Sequence, residues 1–460
     1  MRCVRRLVRG CYSIAMQQLR WATVLITSAA FACGPSTTSN PTTSNPTSDD
    51  AGATPAPDSS AHNPSTPTSK GSDAGSATPD AGSSDGATSS TAEAGADGAT
   101  QQQQPQPPTP PSGAGVMPLI SQGVPAFANS GSAADAVDAD YGTAWRTNDV
   151  PSSSSPDWIA LDLSKVPQAS RTKVYSLWFN EWGYNYVTSD AQSYNLPGDY
   201  QIQANAAPGG GQAPSTNWVT LVTVSGNELS SGAHMLDLTG YSWVRFVCTA
   251  TAANTASGNL NTAIQWELYD AHANDDGWKF AGDSITANSM GHQSTNDSFD
   301  QLVHQQVTND PAFEMAGHGY WSTSTLLGVI DSFIADFPGR YFAIPLGTND
   351  APGNDPAGFA ANMTALINKV LAAGKVPVVP TIPYTGDPQH ASIPQYNAQI
   401  QALYTQFGSK LVPGPDLYTV IYNGRATMFD NPGDLHPNAA GNAAIRQAWA
   451  NAMAHAVYGK

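Results

Sequence analysis

The chain has 460 residues, of which 12% are charged, and a formal net charge of −17 at pH 7. Five of its nineteen Lys and Arg residues precede Cys33, so removing those five charges would take −17 to about −22. Phosphate backbones and anionic membrane surfaces repel such an acidic chain, which argues against nucleic acid as a ligand and favours neutral substrates and partners.

Residues 1–33 have the pattern of an export signal. Scattered arginines precede the apolar run WATVLITSAAFA, which is too short to span a bilayer comfortably. The sequence AFAC followed by Gly resembles the lipobox of bacterial lipoproteins, which implies lipidation at Cys33. Ordinary signal-peptidase cleavage near SAAFA is the alternative, and Met16 is a second candidate start. We expect an exported protein, either secreted or held in the cell envelope or outer membrane, whose only membrane attachment is a lipid anchor at Cys33.

Residues 34–115 are predicted to be a disordered linker. Ser, Thr, Pro, Ala, Gly, Asp and Gln dominate this stretch, as in QQQQPQPPTPPSG, and it contains no aromatic residue. It cannot bury enough apolar surface to offset its chain entropy. Three of the four cysteines lie in the leader, so Cys248 is the one thiol left for the folded part. We expect Cys248 to be a buried strand residue and no intrachain disulfide to form.

Residues 116–273 are predicted to form an all-β jelly-roll sandwich. Seven short β-like runs alternate with turns rich in Gly, Pro, Asn and Ser: DWIALDLS, VYSLWFNEW, GDYQIQANA, NWVTLVTVS, HMLDLTG, SWVRFVCTA and IQWELYDA. Strands at this spacing favour antiparallel pairing. Trp158, Trp218 and Trp243 fall in alternating patterns within these runs and are expected in the core.

This segment resembles the discoidin-like, or coagulation-factor C-type, branch of the galactose-binding-like domains. The likeness rests on SAADAVDADYGTAWRT, on PDWIALDLSKV and on later strands in the same order. It implies a carbohydrate-binding domain whose loop aromatics Trp182, Tyr184 and Tyr186 stack on sugar faces; packing within the protein is the alternative for these rings. No cofactor is expected to be required, although the loop DADYG offers oxygen ligands for a structural calcium ion.

Residues 274–460 have a different rhythm, in which strands alternate with helices. WKFAGDS, RYFAIPLG and KVPVVPTIP read as strands. In DPAGFAANMTALINKVLAAG the apolar residues recur at three- and four-residue steps and Gly374 marks the end. This alternation predicts a parallel sheet covered by helices on both faces.

Ser284 differs from the many other serines of the chain by its position. It follows the first strand of the α/β segment, in FAGDSIT, where the carboxyl end of a parallel strand opens to the usual ligand crevice. A serine hydroxyl becomes a good nucleophile only with a base for its proton and donors for the oxyanion. Three later motifs offer these groups: AGHGYW with Gly317 and Gly319, IPLGTNDA with Asn349, and GDLHPNAAG with His436.

In this order the four motifs resemble the SGNH, or GDSL-type, serine hydrolases over residues 277–460. The resemblance implies a flavodoxin-like, three-layer α/β/α domain and ester hydrolysis with Ser284 as nucleophile and His436 as general base. It also implies an oxyanion hole made by the amide of Ser284, the amide of Gly319 or Gly317, and the side chain of Asn349.

One position departs from this family pattern. The usual final motif is Asp-x-x-His, but Gly433 stands three residues before His436. A carboxylate is wanted to orient the imidazole and stabilise its charge. Asp434 is the preferred third catalytic residue, Asp430 is the alternative, and a Ser-His dyad stays open.

The remaining histidines have simpler interpretations. His318 lies beside the oxyanion glycine and could line the pocket or pack within its loop. His304 and His455 lie in helical stretches and His390 in a polar loop, and all three are expected at the surface.

These observations predict an exported serine esterase that removes acetyl or similar small acyl groups from a carbohydrate or acylated polysaccharide. One alternative is a lipase or thioesterase acting on lipid or aryl esters, although no long hydrophobic lid is evident. A second alternative is a surface carbohydrate-binding or adhesion protein that has lost its activity.

Overall fold

The computed structural model describes residues 115–460 except 181–184, 187–191, 194–195, 253–260, 273 and 292–296, and only the backbone of Asn185–Tyr186 and Gln192–Ser193. The predicted leader, Cys33 and residues 34–114 of the predicted linker therefore lie outside the described residues. Within the part of the chain that is described, no helix combines the length and the apolarity needed to cross a membrane.

The first half of the described chain is built from antiparallel strands. A five-stranded sheet has the order β1-β3-β10-β7-β8, a four-stranded sheet has the order β2-β11-β4-β9, and β5 pairs with β6. The bounds are β1 Ala126–Ala128, β2 Trp145–Arg146, β3 Asp157–Asp162, β4 Val174–Phe179, β5 Asn185–Tyr186, β6 Gln192–Ser193, β7 Pro197–Asn205, β8 Val219–Val224, β9 Ser231–Leu236, β10 Trp243–Thr251 and β11 Ala263–Asp270. Two such sheets are consistent with the predicted β-sandwich.

Alternating residues of both sheets fill the interior of the sandwich. Trp178, Phe246 and Trp266 are fully buried there, and Cys248 is a buried strand residue as expected. The prediction for the three tryptophans is only partly right, since Trp243 is buried whereas Trp158 and Trp218 are half-buried. Trp218 directly precedes the edge strand β8, and the Arg245 guanidinium lies 4.2 Å from its ring centroid.

The second half contains a parallel five-stranded sheet in the order β13-β12-β14-β15-β16. These strands are β12 Gly277–Phe280, β13 Ala312–Met315, β14 Tyr341–Ala343, β15 Val376–Val379 and β16 Val412–Pro413. The helices are α1 Ser284–Met290, α2 Phe299–Val307, α3 Thr323–Ala335, α4 Pro356–Ala372, α5 Ile393–Phe407, α6 Leu417–Gly424 and α7 Ala439–Ala456. Helix α7 packs on α1, α2 and α6, whereas α4 packs on α3 and α5. The predicted α/β/α fold is confirmed, and its chain order places the switch point between β12 and β14.

Helix α4 shows how local sequence sets these elements. The Asp355 side chain accepts a hydrogen bond from the Gly358 amide, and Pro356 occupies the first turn, where its missing N–H costs nothing. The apolar residues at three- and four-residue spacing form the buried face: Phe359, Met363, Leu366, Ile367 and Val370. Beyond the last turn Gly374 adopts a φ of +72°, which favours glycine over any residue with a Cβ.

The sandwich and the α/β segment share one hydrophobic core. Phe313 of β13 lies 5.5 Å from Tyr141 and 5.7 Å from Phe179, measured between ring centroids. Beside these rings, the carboxylate of Glu314 accepts hydrogen bonds from Tyr175 at 2.5 Å and Ser231 at 2.9 Å. The core is therefore continuous across the predicted boundary at residues 273 and 274.

A buried cation completes this polar network. Lys279 Nζ of β12 lies 3.0 Å from Glu314 Oε1 and donates to the Phe333 carbonyl at 2.8 Å. Both charged residues are only 1% exposed. Because a buried charge is costly unless it is paired, this network ties strands of the two segments into one cooperative structure.

Candidate active site

Ser284 lies at the tight turn between β12 and α1. Asp283 caps the helix by accepting a hydrogen bond from the Ile285 amide at 3.0 Å, and burial raises the pKa of Asp283 to about 7. A Cβ at position 282 would lie 2.1 Å from Thr286 Oγ1, so the turn requires Gly282. Gly282 is thus explained by the close packing of the turn and Asp283 by the helix cap. Ser284 follows them at the carboxyl edge of the sheet, where it is 7% exposed.

His436 comes to Ser284 from the loop before α7. Its Nε2 lies 2.8 Å from Ser284 Oγ. Asn438 holds the loop by capping α7, with its Oδ1 accepting from the amides of Ala440 and Gly441. Burial lowers the pKa of His436, with a further contribution from the nearby His390. A neutral imidazole at pH 7 can accept the hydroxyl proton of serine, as a general base must.

Asn349 follows β14 at the same edge of the sheet. Its Nδ2 donates to the Trp321 carbonyl at 3.0 Å, and an amide group has a second N–H for another acceptor. The preceding turn contains Gly347 at φ +130°, where an added Cβ would meet Ile382 Cδ1 at 2.3 Å. These contacts fix the direction of the Asn349 side chain before any substrate binds.

The two glycines after β13 have different surroundings. The amide of Gly317 donates to Met315 Sδ at 3.2 Å, and a Cβ on Gly317 would lie 2.5 Å from the Ala287 amide nitrogen. Among the backbone hydrogen bonds of the described residues, none uses the Gly319 amide as donor. The geometry therefore favours Gly319 over Gly317 as a donor to an oxyanion.

Neither candidate carboxylate is bound to His436. Asp434 accepts a hydrogen bond from the Asn431 amide at 2.8 Å, and Asp430 accepts one from Asn438 Nδ2 at 3.3 Å. No hydrogen bond to His436 Nδ1 occurs within the described residues. Asp434 is nonetheless close enough for its charge to raise the pKa of His436 against the effect of burial. The choice between Asp434, Asp430 and a dyad stays a prediction.

Residues of the sandwich contact the loop that carries Gly317 and Gly319, called here the glycine loop. Ser230 Oγ, in the segment leading into β9, donates to the Gly317 carbonyl at 2.5 Å. His318 Nε2 lies 3.0 Å from the Glu228 carbonyl, and the His318 ring stacks on Trp321 with centroids 5.0 Å apart. His318 is buried and lines a cavity of about 650 Å³ between sandwich loops and α3, which shares no lining residue with the cavity at Ser284.

A cavity of about 490 Å³ opens above the serine. Ser284, Asn349 and His436 line it together with the polar side chains of Asp430, Asp434 and Asn438. A volume of this order suits a small ligand. A nucleophile hydrogen-bonded to a base, with amide donors nearby, is an arrangement suited to acyl transfer.

Sequence reasoning missed the aromatic residue of this cavity. Tyr320 lines it with its side chain 56% exposed, and its backbone has a φ of +63°. The left-handed region costs a bulky residue on the order of 1–3 kcal/mol. The one available signal was its place directly after Gly319, since neither the exposure nor the backbone angle is visible in a local pattern.

The structure contradicts the prediction that His390 lies at the surface. His390 is buried, with Nδ1 3.1 Å from Asp387 Oδ2. The reason is that the turn from Gly386 packs against the His436 loop, where the Gly386 amide donates to the Asp434 carbonyl at 3.0 Å. His304 and His455 are exposed as expected.

The structure does not describe the side chains predicted to stack on sugars, and the loop predicted to offer calcium ligands is held by its own hydrogen bonds. Trp182 and Tyr184 lie outside the described residues, as does the side chain of Tyr186. In the loop DADYG, Asp138 Oδ1 accepts hydrogen bonds from the Asp140 amide and from Thr143. Across the described parts of the chain, no group of three or more His, Cys, Asp or Glu residues is placed to hold a metal ion.

Comparison with known proteins agrees with the class of site. Residues 280–444 match the model of the GDSL-like Lipase/Acylhydrolase family. A search of curated proteins finds no match to this chain.

Solved structures resemble parts of the chain. Axe2, an acetylxylan esterase from Geobacillus stearothermophilus, is 16% identical with a TM-score of 0.32, over 39% of this chain and 94% of its own. The protein YXIM of Bacillus subtilis is 16% identical with a TM-score of 0.39, over 71% and 87%. A chitosan-binding module from a Paenibacillus sp. IK-5 chitosanase/glucanase is 19% identical with a TM-score of 0.22, over 33% and 98%.

The parallel sheet with its serine at the switch point, and the family match over residues 280–444, define a serine hydrolase domain of the α/β/α class. Residues 280–444 are a GDSL-like lipase/acylhydrolase domain, and the protein is an ester hydrolase.

Proposed function

We propose that the protein removes acetyl or similarly short acyl groups from the hydroxyls of carbohydrate. The supporting observation is the cavity above Ser284, where Asn349, Asp430, Asp434 and Asn438 surround the nucleophile with hydrogen-bonding groups. A substrate rich in hydroxyls can satisfy such groups. A long alkyl chain would desolvate them without compensation.

In the proposed mechanism His436 Nε2 accepts the proton of Ser284 as Oγ attacks the acyl carbonyl. The amides of Ser284 and Gly319 and the side chain of Asn349 stabilise the tetrahedral oxyanion. As the C–O bond of the ester breaks, His436 gives the proton to the departing sugar oxygen, which leaves as a hydroxyl, and it then activates the water that hydrolyses the acyl-enzyme and releases the acid. Asp434 is the proposed partner that orients the imidazole, with Asp430 as its alternative.

The test is release of acetate from O-acetylated polysaccharides by the full chain, with Ser284→Ala as control. We expect serine-dependent release from at least one sugar ester. Turnover of long-chain lipid esters with no release from any acetylated sugar would assign the enzyme to the lipases instead. Turnover of p-nitrophenyl acetate, measured in parallel, establishes that the preparation is active.

We further propose that the β-sandwich is a discoidin-like module that binds polysaccharide through Trp182, Tyr184 and Tyr186. The motifs DADYGTAW and PDWIALDL support this proposal. The full-length Ser284→Ala protein should be retained on insoluble polysaccharide without altering it, and alanine at the three loop aromatics should abolish retention. Equal retention of both proteins would refute the assignment of these rings.

Export as a lipoprotein is the third part of the proposal, and AFAC followed by Gly supports it. In a bacterial host the protein should partition with membranes and incorporate labelled fatty acid. Cys33→Ala should abolish the labelling, whereas labelling that survives this change would place any lipid elsewhere.

A further inference from the structure

Tyr320 combines three features that are typical of ligand-contacting residues. It is the most exposed of the large hydrophobic residues in the described chain, at 56%. It lines the cavity that contains Ser284. Its backbone lies at φ +63°, a conformation that glycine adopts without the steric cost of a Cβ.

The backbone angle at position 320 does not by itself explain why the residue is a tyrosine. A loop that required only a left-handed residue here would be better served by glycine or asparagine. An exposed aromatic side chain in that conformation, at the edge of a catalytic cavity, is a candidate ligand contact, since strained residues cluster at ligand sites.

The segment that carries Tyr320 is held on both sides. His318 Nδ1 lies 3.0 Å from the Gly319 carbonyl oxygen, and the Trp321 carbonyl accepts a hydrogen bond from Asn349 at 3.0 Å. Trp321 itself is buried between the rings of His318 and Phe333. The ring of Tyr320 is therefore presented from a fixed backbone, which reduces the entropy lost when a ligand contacts it.

We propose that Tyr320 is a binding platform for the sugar ring that bears the scissile ester, with its aromatic face against the C–H face of the pyranose. This inference rests on the proposed function and assigns a substrate contact within that site. The ring contributes flat apolar area, and the polar side chains across the cavity receive the hydroxyls. The acyl carbonyl then lies between Ser284 and Asn349.

The test compares Tyr320→Gly, Tyr320→Asn and Tyr320→Phe in the full chain. Glycine and asparagine tolerate the backbone angle and remove the ring, whereas phenylalanine keeps it. The substrates are fully acetylated cellobiose and ethyl acetate, because ethyl acetate has neither a sugar nor an aromatic leaving group. Acetate release gives kcat/KM for each pair.

For acetylated cellobiose we expect kcat/KM to fall about tenfold with glycine or asparagine and by no more than about twofold with phenylalanine, as loss of one aromatic contact implies. For ethyl acetate all variants should stay within about twofold of the parent. The Tm of each variant, measured in parallel, should lie well above the assay temperature, so that a change in kcat/KM reports on the site and not on unfolding. The matched control is Tyr422→Ala, which removes an exposed tyrosine outside the cavity and should leave both substrates unaffected.

Equal decreases in kcat/KM for both substrates would overturn the proposed sugar contact. They would indicate that Tyr320 acts through the loop that carries Gly319. An unchanged kcat/KM for acetylated cellobiose in Tyr320→Gly would also overturn it while leaving the proposed function intact. If the parent enzyme releases no acetate from any sugar ester, the proposed function itself is refuted. That result comes from the parent enzyme alone and is therefore distinct from any result with the Tyr320 variants.

Discussion

Replacing Ser230 by alanine should slow catalysis although Ser230 is far from the serine nucleophile in the chain. Its hydroxyl donates to the carbonyl of Gly317, two residues before the candidate oxyanion donor Gly319. The residue is only 1% exposed, so water cannot readily replace the lost donor. Leaving a buried carbonyl without a partner costs about 1–3 kcal/mol, and for a fold of this size each kcal/mol lowers Tm by about 2–4 °C.

The catalytic effect follows from the value of one oxyanion donor. Such a donor is worth about 3 kcal/mol, and a loosened loop that forfeits a third of this would lower kcat about fivefold. KM should change little, because the contact acts on the transition state and not on the bound substrate. The assay is kcat and KM on p-nitrophenyl acetate at a temperature well below the Tm of every variant.

The neighbouring serine provides the control. Ser231 is equally buried, and its hydroxyl crosses the same interface to Glu314 instead of the glycine loop. Ser231→Ala should therefore lower Tm to a similar extent but leave kcat unchanged. If the two variants show the same kcat, the contact from Ser230 is structural only and the reasoning is wrong.

Three further predictions follow from the same geometry. Asn349→Ala should lower kcat by about two orders of magnitude or more with little change in Tm, since it removes one oxyanion donor; a loss below about fivefold would exclude that role. Burial lowers the pKa of His436 and Asp434 raises it, so kcat/KM should rise with pH along a limb below 6.5, where the imidazole loses its proton. Asp434→Asn should move this limb to lower pH, and an unmoved limb would show that Asp434 does not act on the base. Glu314→Gln leaves the Lys279 ammonium buried without its anion and should reduce the free energy of unfolding by about 3–5 kcal/mol in guanidinium titrations, whereas a loss under about 1 kcal/mol would contradict the pairing.

Much of this site could be predicted because its residues follow consecutive parallel strands. Ser284, Gly319 and Asn349 each lie after a strand of one sheet, and parallel strands bring their carboxyl ends to the same edge. The helical spacing of α4 and the strand runs of the sandwich were equally local signals. Secondary structure and the order of the motifs therefore predicted that these residues lie close together, and the resemblance to the SGNH family supplied their expected roles.

What could not be predicted depends on contacts between distant segments. Ser230 and Gly317 are 87 residues apart, and no periodicity connects them. The burial of His390 depends on packing against the loop before α7, and the half-exposure of Trp158 depends on which face of its strand is covered. The partner of His436 is undecided for the same reason, since two carboxylates in one loop differ only in their three-dimensional placement.

The two segments predicted on either side of residue 273 are joined by extensive contacts. Composition separates a sandwich from an α/β segment, but Phe313 packs on Tyr141 and Phe179, and Glu314 takes hydrogen bonds from Tyr175 and Ser231. An isolated segment 274–460 would expose that apolar surface and leave the Lys279–Glu314 pair without two of its donors. The Ser230 contact with the loop of Gly317 and Gly319 is part of this interface, so the surface that stabilises the α/β segment is also the one through which the sandwich is predicted to act on catalysis. The carbohydrate binding proposed for the sandwich would therefore be added to a structural role, which is to cover the apolar surface of the α/β segment.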